Sequence, residues 1–359
     1  LGDNKNIAVL FGGANSDNYR SCRAALDVIP ALLRREYNVS VFAITLESIW
    51  VEFSDLKAIQ AVLAVPNFEL SVESAEKISG ATLSALPPTS MAEVDLVFMT
   101  LIGSPGTDGT IQGLLDAFGI KYAGSDMLSA ALASDKSSLK LLLESVQIPT
   151  PRHIVISNRA WTRDPLPNVA RATNLGLPVL IKPARGSNGL GITQVVKPQE
   201  MKNAIDVART FDLRVVSEKF YKNARYFECN ILEDSKNRNY LSSIFETKLS
   251  NGAEIFNFIA RADVKNFSHT VVKNLPKETV DLIQDYTEKI FELLRCSGYA
   301  QIEFLLTEED ELMVVEVNSQ PNFANDSTFI QTWEANQLSY DDVIYACVQE
   351  GLGRKTGLI

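Results

Sequence analysis

Residues 6–46 constrain the fold more than any other stretch. "NIAVLFGGANSD" (Asn6–Asp17) is an apolar strand that runs into a Gly-Gly turn. "SCRAALDVIPALLRRE" (Ser21–Glu36) follows with helical spacing, and "NVSVFAITL" (Asn38–Leu46) is a second strand. Strand, turn, helix and strand in that order predict a parallel, Rossmann-like sheet. "VDLVFMTLIG" (Val94–Gly103) is another strand. "DGTIQGLLDAFGI" (Asp108–Ile120) reads as a helix opened by its acidic cap, and "KYAGS" (Lys121–Ser125) as a return to the sheet edge. Residues 1 to about 135 therefore read as one α/β domain.

The remainder breaks this alternation. "SDKSSLKLLLESVQIPTP" (Ser134–Pro151) is a helix stopped by prolines. "LPVLIKPARGSNGLGITQVV" (Leu177–Val196) is a strand, a Gly-rich turn and a strand. After the helix "PQEMKNAIDVARTF" (Pro198–Phe211) comes the strand "RVVSEKFY" (Arg214–Tyr221). Beyond Arg225 lie further strands, the helix "KETVDLIQDYTEKIFELLRCSG" and a pair of strands joined by the acidic turn "TEEDE". Hairpins mixed with helices indicate α+β organisation.

A chain of 359 residues with 46% hydrophobic and 22% charged residues is ordinary for a globular protein of two or three domains. Its net charge of −10 argues against general nucleic-acid binding, which needs clustered Lys and Arg. Cys22, Cys229, Cys296 and Cys347 are widely spaced and read as reduced thiols. Two histidines are too few for a His-based zinc hydrolase. No apolar run approaches the ~20 residues of a membrane span. The N-terminus lacks a basic region followed by an apolar core. The expectation is a cytoplasmic protein.

The last strand pair carries the first chemical signal. Alternation puts Gln301 and Glu303 on one face of "AQIEFLL", and Glu316 and Asn318 on one face of "MVVEVN". If "TEEDE" folds the strands together, Glu303 comes near Glu316. Two buried carboxylates repel unless a cation lies between them. With an amide oxygen they form a hard donor set suited to Mg²⁺. A solvated sheet edge explains Glu316 equally well at this point.

"VLIKPARGSNGLG" (Val179–Gly191) is the second signal. Gly186, Gly189 and Gly191 form a loop whose N–H groups can converge on an anion. It is not a Walker loop, and such glycines also make plain hairpin turns. Lys136, Lys182 and Lys248 each read singly as surface charges. Taken together, ahead of the acidic strand pair, they suggest a nucleoside triphosphate held by lysines, a Gly-rich flap and metal.

These motifs in this order resemble the D-alanine–D-alanine ligase family of the ATP-grasp superfamily. The resemblance rests on "VLFGG" (Val9–Gly13), "GTDGTIQGLL" (Gly106–Leu115), "YAGSDMLSAALASDK" (Tyr122–Lys136), "LPVLIKPARGSNGLGI", "ETK" (Glu246–Lys248), "EVNSQP" (Glu316–Pro321) and "LSYDDVI" (Leu338–Ile344). It spans nearly the whole chain. It implies a three-domain ATP-grasp fold of α/β and α+β parts, with an N-terminal Rossmann-like parallel sheet over residues 1–135. A central ATP-grasp domain over 136–224 and a C-terminal one over 225–359 would grip ATP between them. The implied chemistry is ATP-dependent joining of a carboxylate to an amine through an acyl phosphate. ATP and Mg²⁺ are the implied cofactors, the metal as a pair of ions with Mn²⁺ as an alternative. Small-molecule acid and amine substrates and a homodimer are the implied partners.

Carried over by position, Lys136, Lys182 and Lys248 match nucleotide-contacting lysines, and Gly186, Ser187 and Gly189 the phosphate loop. Glu218 and Lys219 match a hinge pair beside adenine. Glu303, Glu316 and Asn318 match the Mg²⁺ ligands. Asp17 matches a glutamate that orients the first amino acid's ammonium, and Ser327 a serine near the second substrate. Other positions depart from the pattern. Ile102 replaces a histidine near the first substrate, and Gln301 replaces an arginine at the oxyanion. Asn188 and Leu249 replace a serine and a tyrosine of the loop triad. A ribose-binding glutamate is expected near Tyr226, and Asn322 replaces a glycine. Arg261 is a candidate replacement for the missing arginine charge. ATP and metal positions are kept while amino-acid positions change. Three readings follow: a wall-precursor enzyme, a diverged ligase for other acid and amine pairs, or a non-catalytic ATP-binding homologue. A dinucleotide dehydrogenase is disfavoured, since Gly12–Gly13 lacks a full GxGxxG.

Overall fold

The computed structural model describes residues 5–186, 189–249 and 267–354. Three sheets follow one another along the chain. The first contains β1 (Asn6–Gly12), β2 (Asn38–Ile44), β3 (Trp50–Phe53), β4 (Ala81–Ser84) and β5 (Leu96–Met99), in the order β4-β3-β2-β1-β5. Strand β1 lies between β2 and β5 and is buried on both faces. Ile7, Val9 and Phe11 enter one core, and Ala8 and Leu10 the other. This accounts for its unbroken apolar run.

The expected parallel pairing holds for β2, β1 and β5, whereas β3 and β4 are antiparallel. The link between β2 and β3 is too short for the crossover that parallel neighbours need, so the chain folds back as a hairpin. The helix expected from an Asp108 cap runs from Thr110 to Ala117 behind Gly109, whose φ is +88°. Asp108 Oδ1 instead accepts from the Thr110 N–H, 3.1 Å away.

The second sheet holds β6 (His153–Ile156), β7 (Val179–Pro183), β8 (Thr193–Val195) and β9 (Val215–Lys219), in the order β6-β9-β7-β8. The third holds β10 (Arg225–Glu233), β11 (Asn239–Leu241), β12 (Phe245–Leu249), β13 (Phe267–Val271), β14 (Tyr299–Leu306) and β15 (Leu312–Asn318). Its order is β13-β12-β10-β14-β15, with β11 also on β10. Every pair in these two sheets is antiparallel.

The chain end returns to the first sheet. In the helix Tyr340–Gly353, Val343, Ile344, Cys347 and Val348 share one core with Ile7, Val9 and Cys22. Phe323 joins this core by edge-to-face contacts with Tyr299, Phe329 and Phe98. Gly12 lets the chain turn sharply out of β1. Its φ is +91°, and a Cβ there would lie 2.2 Å from the Ile44 carbonyl oxygen. Gly12 N–H donates to Ser21 Oγ at 2.8 Å, which seats the start of the helix Asn18–Arg34 against the sheet.

Candidate active site

Strand alternation aims Lys182 at a cavity of about 900 Å³, while Ile181 enters the core beneath. Lys182 Nζ donates to Glu218 Oε2 at 2.5 Å. The other carboxylate oxygen, Oε1, forms an ion pair with Lys140 Nζ at 3.1 Å, and that amine also donates to Thr150 Oγ1 at 2.6 Å. Burial works to raise the Glu218 carboxyl, but the charges of Lys140 and Lys182 outweigh it and hold it at about 2. Burial lowers both lysines as well. Glu218 reverses this for Lys182, which ends raised; Lys140, also repelled by Lys182, stays lowered.

Asp135 sets the entry of this cluster. It is extended (φ −93°, ψ 98°) between two helices and accepts from the N–H groups of Ser137 and Ser138. Arg214 pairs with its carboxylate. Lys136 thus becomes the first residue of the helix Lys136–Ser145, with Lys140 one turn on along the same face. Lys136 Nζ reaches Gly186 O at 3.3 Å and Glu316 Oε1 at 3.5 Å, tying the second sheet's loop to the third sheet.

The acidic strand pair forms as its alternation predicts. Glu303 faces Glu316 and Gln301 faces Asn318 in the β14–β15 register. A bulge follows, because Phe304 pairs with Val314 and Val315 is the extra residue. Glu303 also faces Glu228 on its other side, in β10. Three carboxylates therefore stand in one row across three strands, and all three line the cavity. Glu228 is steadied by Asn230 Nδ2 at 2.8 Å. Asn318 Nδ2 donates to Gln301 Oε1 at 3.3 Å, and Gln301 Nε2 donates to Thr328 Oγ1 at 3.2 Å. The paired carboxylates and the adjacent amide are oxygen donors of the kind Mg²⁺ takes. Among the described residues, no group of three or more His, Cys, Asp and Glu is arranged to hold a metal ion, so a cation here would also need the amide, water or phosphate oxygens.

The other expected residues divide. Gly186, Gly189, Tyr226, Asn322 and Ser327 line the cavity. Ser327 caps the helix Thr328–Glu334 by accepting from Ile330 N–H at 3.3 Å. The structure does not bring Lys248 to the cavity wall. Alternation in β12 turns Thr247 inward, leaving the Lys248 side chain 64% exposed and 3.8 Å from Glu246. Lys219 points outward to Gly176 O at 2.9 Å. Asp17 is fully buried, with Arg20 Nε 3.8 Å away. Ser187, Asn188 and Arg261 lie outside the described residues.

Three cavity-lining residues, Glu228, Arg20 and Thr328, and the buried Lys140 behind them escaped the sequence reading. Lys140 was signalled by its i+4 spacing from Lys136, and Glu228 by its alternation with Tyr226. Arg20 stands three residues after Asp17, and Thr328 follows Ser327. A second cavity of about 650 Å³ adjoins the first, lined by Asn15, Ile102, Ser104 and Arg185 among others. Arg20, Gly186, Gln301, Glu316, Asn318 and Asn322 line both.

Comparison with known proteins now decides the family. The model for the D-ala D-ala ligase N-terminus matches residues 6–125, and that for the D-ala D-ala ligase C-terminus matches residues 142–349. The chain belongs to the D-alanine–D-alanine ligase family. A D-alanine–D-alanine ligase of Kineococcus radiotolerans is 31% identical, the match covering 98% of each chain. One from Mycolicibacterium smegmatis is 30% identical, over 98% of this chain and 96% of its own. Among solved structures, the VanG D-Ala:D-Ser ligase of Enterococcus faecalis aligns with a TM-score of 0.80 and 25% identity, covering 98% of this chain and 100% of its own. The Coxiella burnetii D-alanine–D-alanine ligase aligns with the same TM-score at 22% identity, covering 98% of this chain and 94% of its own, which speaks to the fold. The family makes this chain an ATP-dependent ligase of the ATP-grasp type that forms a C–N bond. Among the described residues, no helix is long and apolar enough to cross a membrane.

Proposed function

We propose that the larger cavity takes ATP, with Lys136 and Lys182 toward its phosphates, and that the adjoining cavity takes a small carboxylic acid to be joined to an amine. The observation that carries this reading is the facing pair Glu303 and Glu316, met at the cavity wall by Lys136. Glu303, Glu316 and Asn318 would hold Mg²⁺, which when bound neutralises phosphate charge and orients the transferring group.

In this reading the acid's carboxylate oxygen takes the terminal phosphoryl group and ADP leaves. The amine nitrogen then attacks the acyl carbon, loses a proton, and phosphate departs. The protein's own part is positioning. Glu218 holds Lys182 in place, and Lys140 keeps the Lys140–Glu218–Lys182 cluster cationic. Gln301, Asn318 and Thr328 form a chain of hydrogen bonds beside the reacting region.

The substrates in this reading differ from a pair of D-alanines. Gln301 sets a neutral amide where the family resemblance calls for a cation, and Ile102 an apolar side chain where it calls for a histidine. A cytoplasmic homodimer belongs to the same reading. The test is ADP and phosphate release with Mg²⁺ and panels of D- and L-amino acids, alone and in pairs. Release with an acid and amine other than D-alanine supports this reading. Release with D-alanine alone supports the wall-precursor enzyme. Tight ATP binding without turnover on any pair makes the chain a nucleotide-binding module and ends the ligase reading.

A further inference from the structure

The helix Asn18–Arg34 carries Arg20 to the seam of the two cavities. Among the described residues, it is the cationic side chain that lines both. Lys136 and Lys182 line only the larger cavity, where they meet Glu316 and Glu218. Arg185 lines only the smaller one and is paired with Asp212 at 2.9 Å. Arg20 is built into place from its own helix. Its Nε donates to the Tyr19 hydroxyl at 2.8 Å and lies 3.8 Å from Asp17 Oδ1. Arg20 shares both linings with the amides Gln301, Asn318 and Asn322.

This arrangement changes what an acid substrate meets. Asp17, the carboxylate expected to receive an ammonium, is fully buried, lines neither cavity and has a guanidinium beside it. An ammonium approaching from the cavity therefore encounters Arg20 first, and like charges repel. A carboxylate approaching the same point gains a charge-assisted contact.

Resting on the ligase reading above, we propose that Arg20 is a specificity-determining residue that binds a second carboxylate of the acid substrate, so that the preferred acid is a dicarboxylate rather than an amino acid such as alanine. One carboxylate goes to the phosphoryl donor, and the other is held by Arg20 on the N-terminal wall.

The experiment uses the full chain with Mg·ATP and hydroxylamine as a generic amine, reading hydroxamate formation. The acids are D- and L-alanine against succinate, D- and L-aspartate and D- and L-glutamate. The expected result is a dicarboxylate with kcat/KM at least about 10-fold above either alanine. Arg20→Ala then raises KM for that acid about 10-fold or more with kcat within about 3-fold, and Arg20→Lys restores part of the loss. An unchanged unfolding temperature and ATP affinity in Arg20→Ala separate this from a structural defect. Preference of the wild type for alanine, or equal loss for all acids in Arg20→Ala, overturns the proposal while leaving the ligase reading intact. Hydroxamate from none of the acids despite ATP binding overturns both.

Discussion

Lys182 Nζ donates to Glu218 Oε2 at 2.5 Å, with both side chains buried and Lys182 on the cavity wall. A lone pair of this kind would be neutral. Lys140, ion-paired to the other oxygen, adds a second cation to the trio behind the cavity wall.

Lys140→Met should therefore weaken ATP binding about 10-fold, since Glu218 then cancels Lys182 alone. The variant should also lose about 3 kcal/mol of stability, the usual scale for breaking a buried ion pair. ATP titration and denaturant unfolding check the two effects separately.

Loss of either facing carboxylate should uncouple metal from nucleotide. Glu303→Gln and Glu316→Gln are expected to bind ATP more weakly and to lose at least about 100-fold in turnover. Mg²⁺ should add little to their ATP-induced rise in unfolding temperature, whereas in the wild type it should add a clear increment. Thermal melts with ATP, with and without Mg²⁺, read this directly. An undiminished Mg²⁺ increment in both variants would remove the metal assignment.

Gln301→Leu tests the amide chain. The substitution keeps bulk but leaves the Thr328 hydroxyl and the Asn318 amide without the partner that joins them. A loss of about 1 kcal/mol in stability is expected, since Asn318 and Thr328 are half-buried and line the cavity. On the proposed function, turnover should fall at least about 10-fold while ATP affinity is retained, because Gln301 and Asn318 line the adjoining cavity as well and are not part of the lysine cluster.

Two buried glutamates give opposite responses to pH. Glu218 is held at about 2 against an ordinary 4.5, so its contribution is complete above about pH 4.5 and is lost as pH falls through about 2. Glu350, in the helix Tyr340–Gly353, is raised from 4.5 to about 7 by burial, with Glu233 adding to the shift and Arg354 opposing it. Its Oε2 has no hydrogen-bond partner among the described residues. The folded state therefore holds a proton there that the unfolded chain has released, and stability falls as pH rises from 4.5 toward 7. Glu350→Gln should flatten this slope and add up to about 3 kcal/mol at pH 8. Melting temperatures of both proteins between pH 5 and pH 8 test it.

Much of the site was legible before any fold was known, because alternation is a local property. One strand suffices to put Glu316 and Asn318 on the same face, and another Gln301 and Glu303. The parallel part of the first sheet, β1, β2 and β5, was legible from the order of its apolar runs, whereas β3 and β4 were not. Facing Glu303 with Glu316 needs two strands and their turn, and only the tertiary register added Glu228 as the third carboxylate and expelled Val315 into a bulge. Charge pairing is equally non-local. Lys140 reads as an ordinary helix lysine until β9 brings Glu218 beside it, and Lys248 reads as a phosphate lysine until β12 turns it outward. Arg20 looks like a surface residue of an amphipathic helix, and its place at the seam depends on how the first sheet packs against the third. The sequence by itself determined the strands β1, β2 and β5, the shared faces within β14 and β15, and the family chemistry. Tertiary structure decided which charges meet, since residues far apart in the chain interact only once sheets and helices have packed.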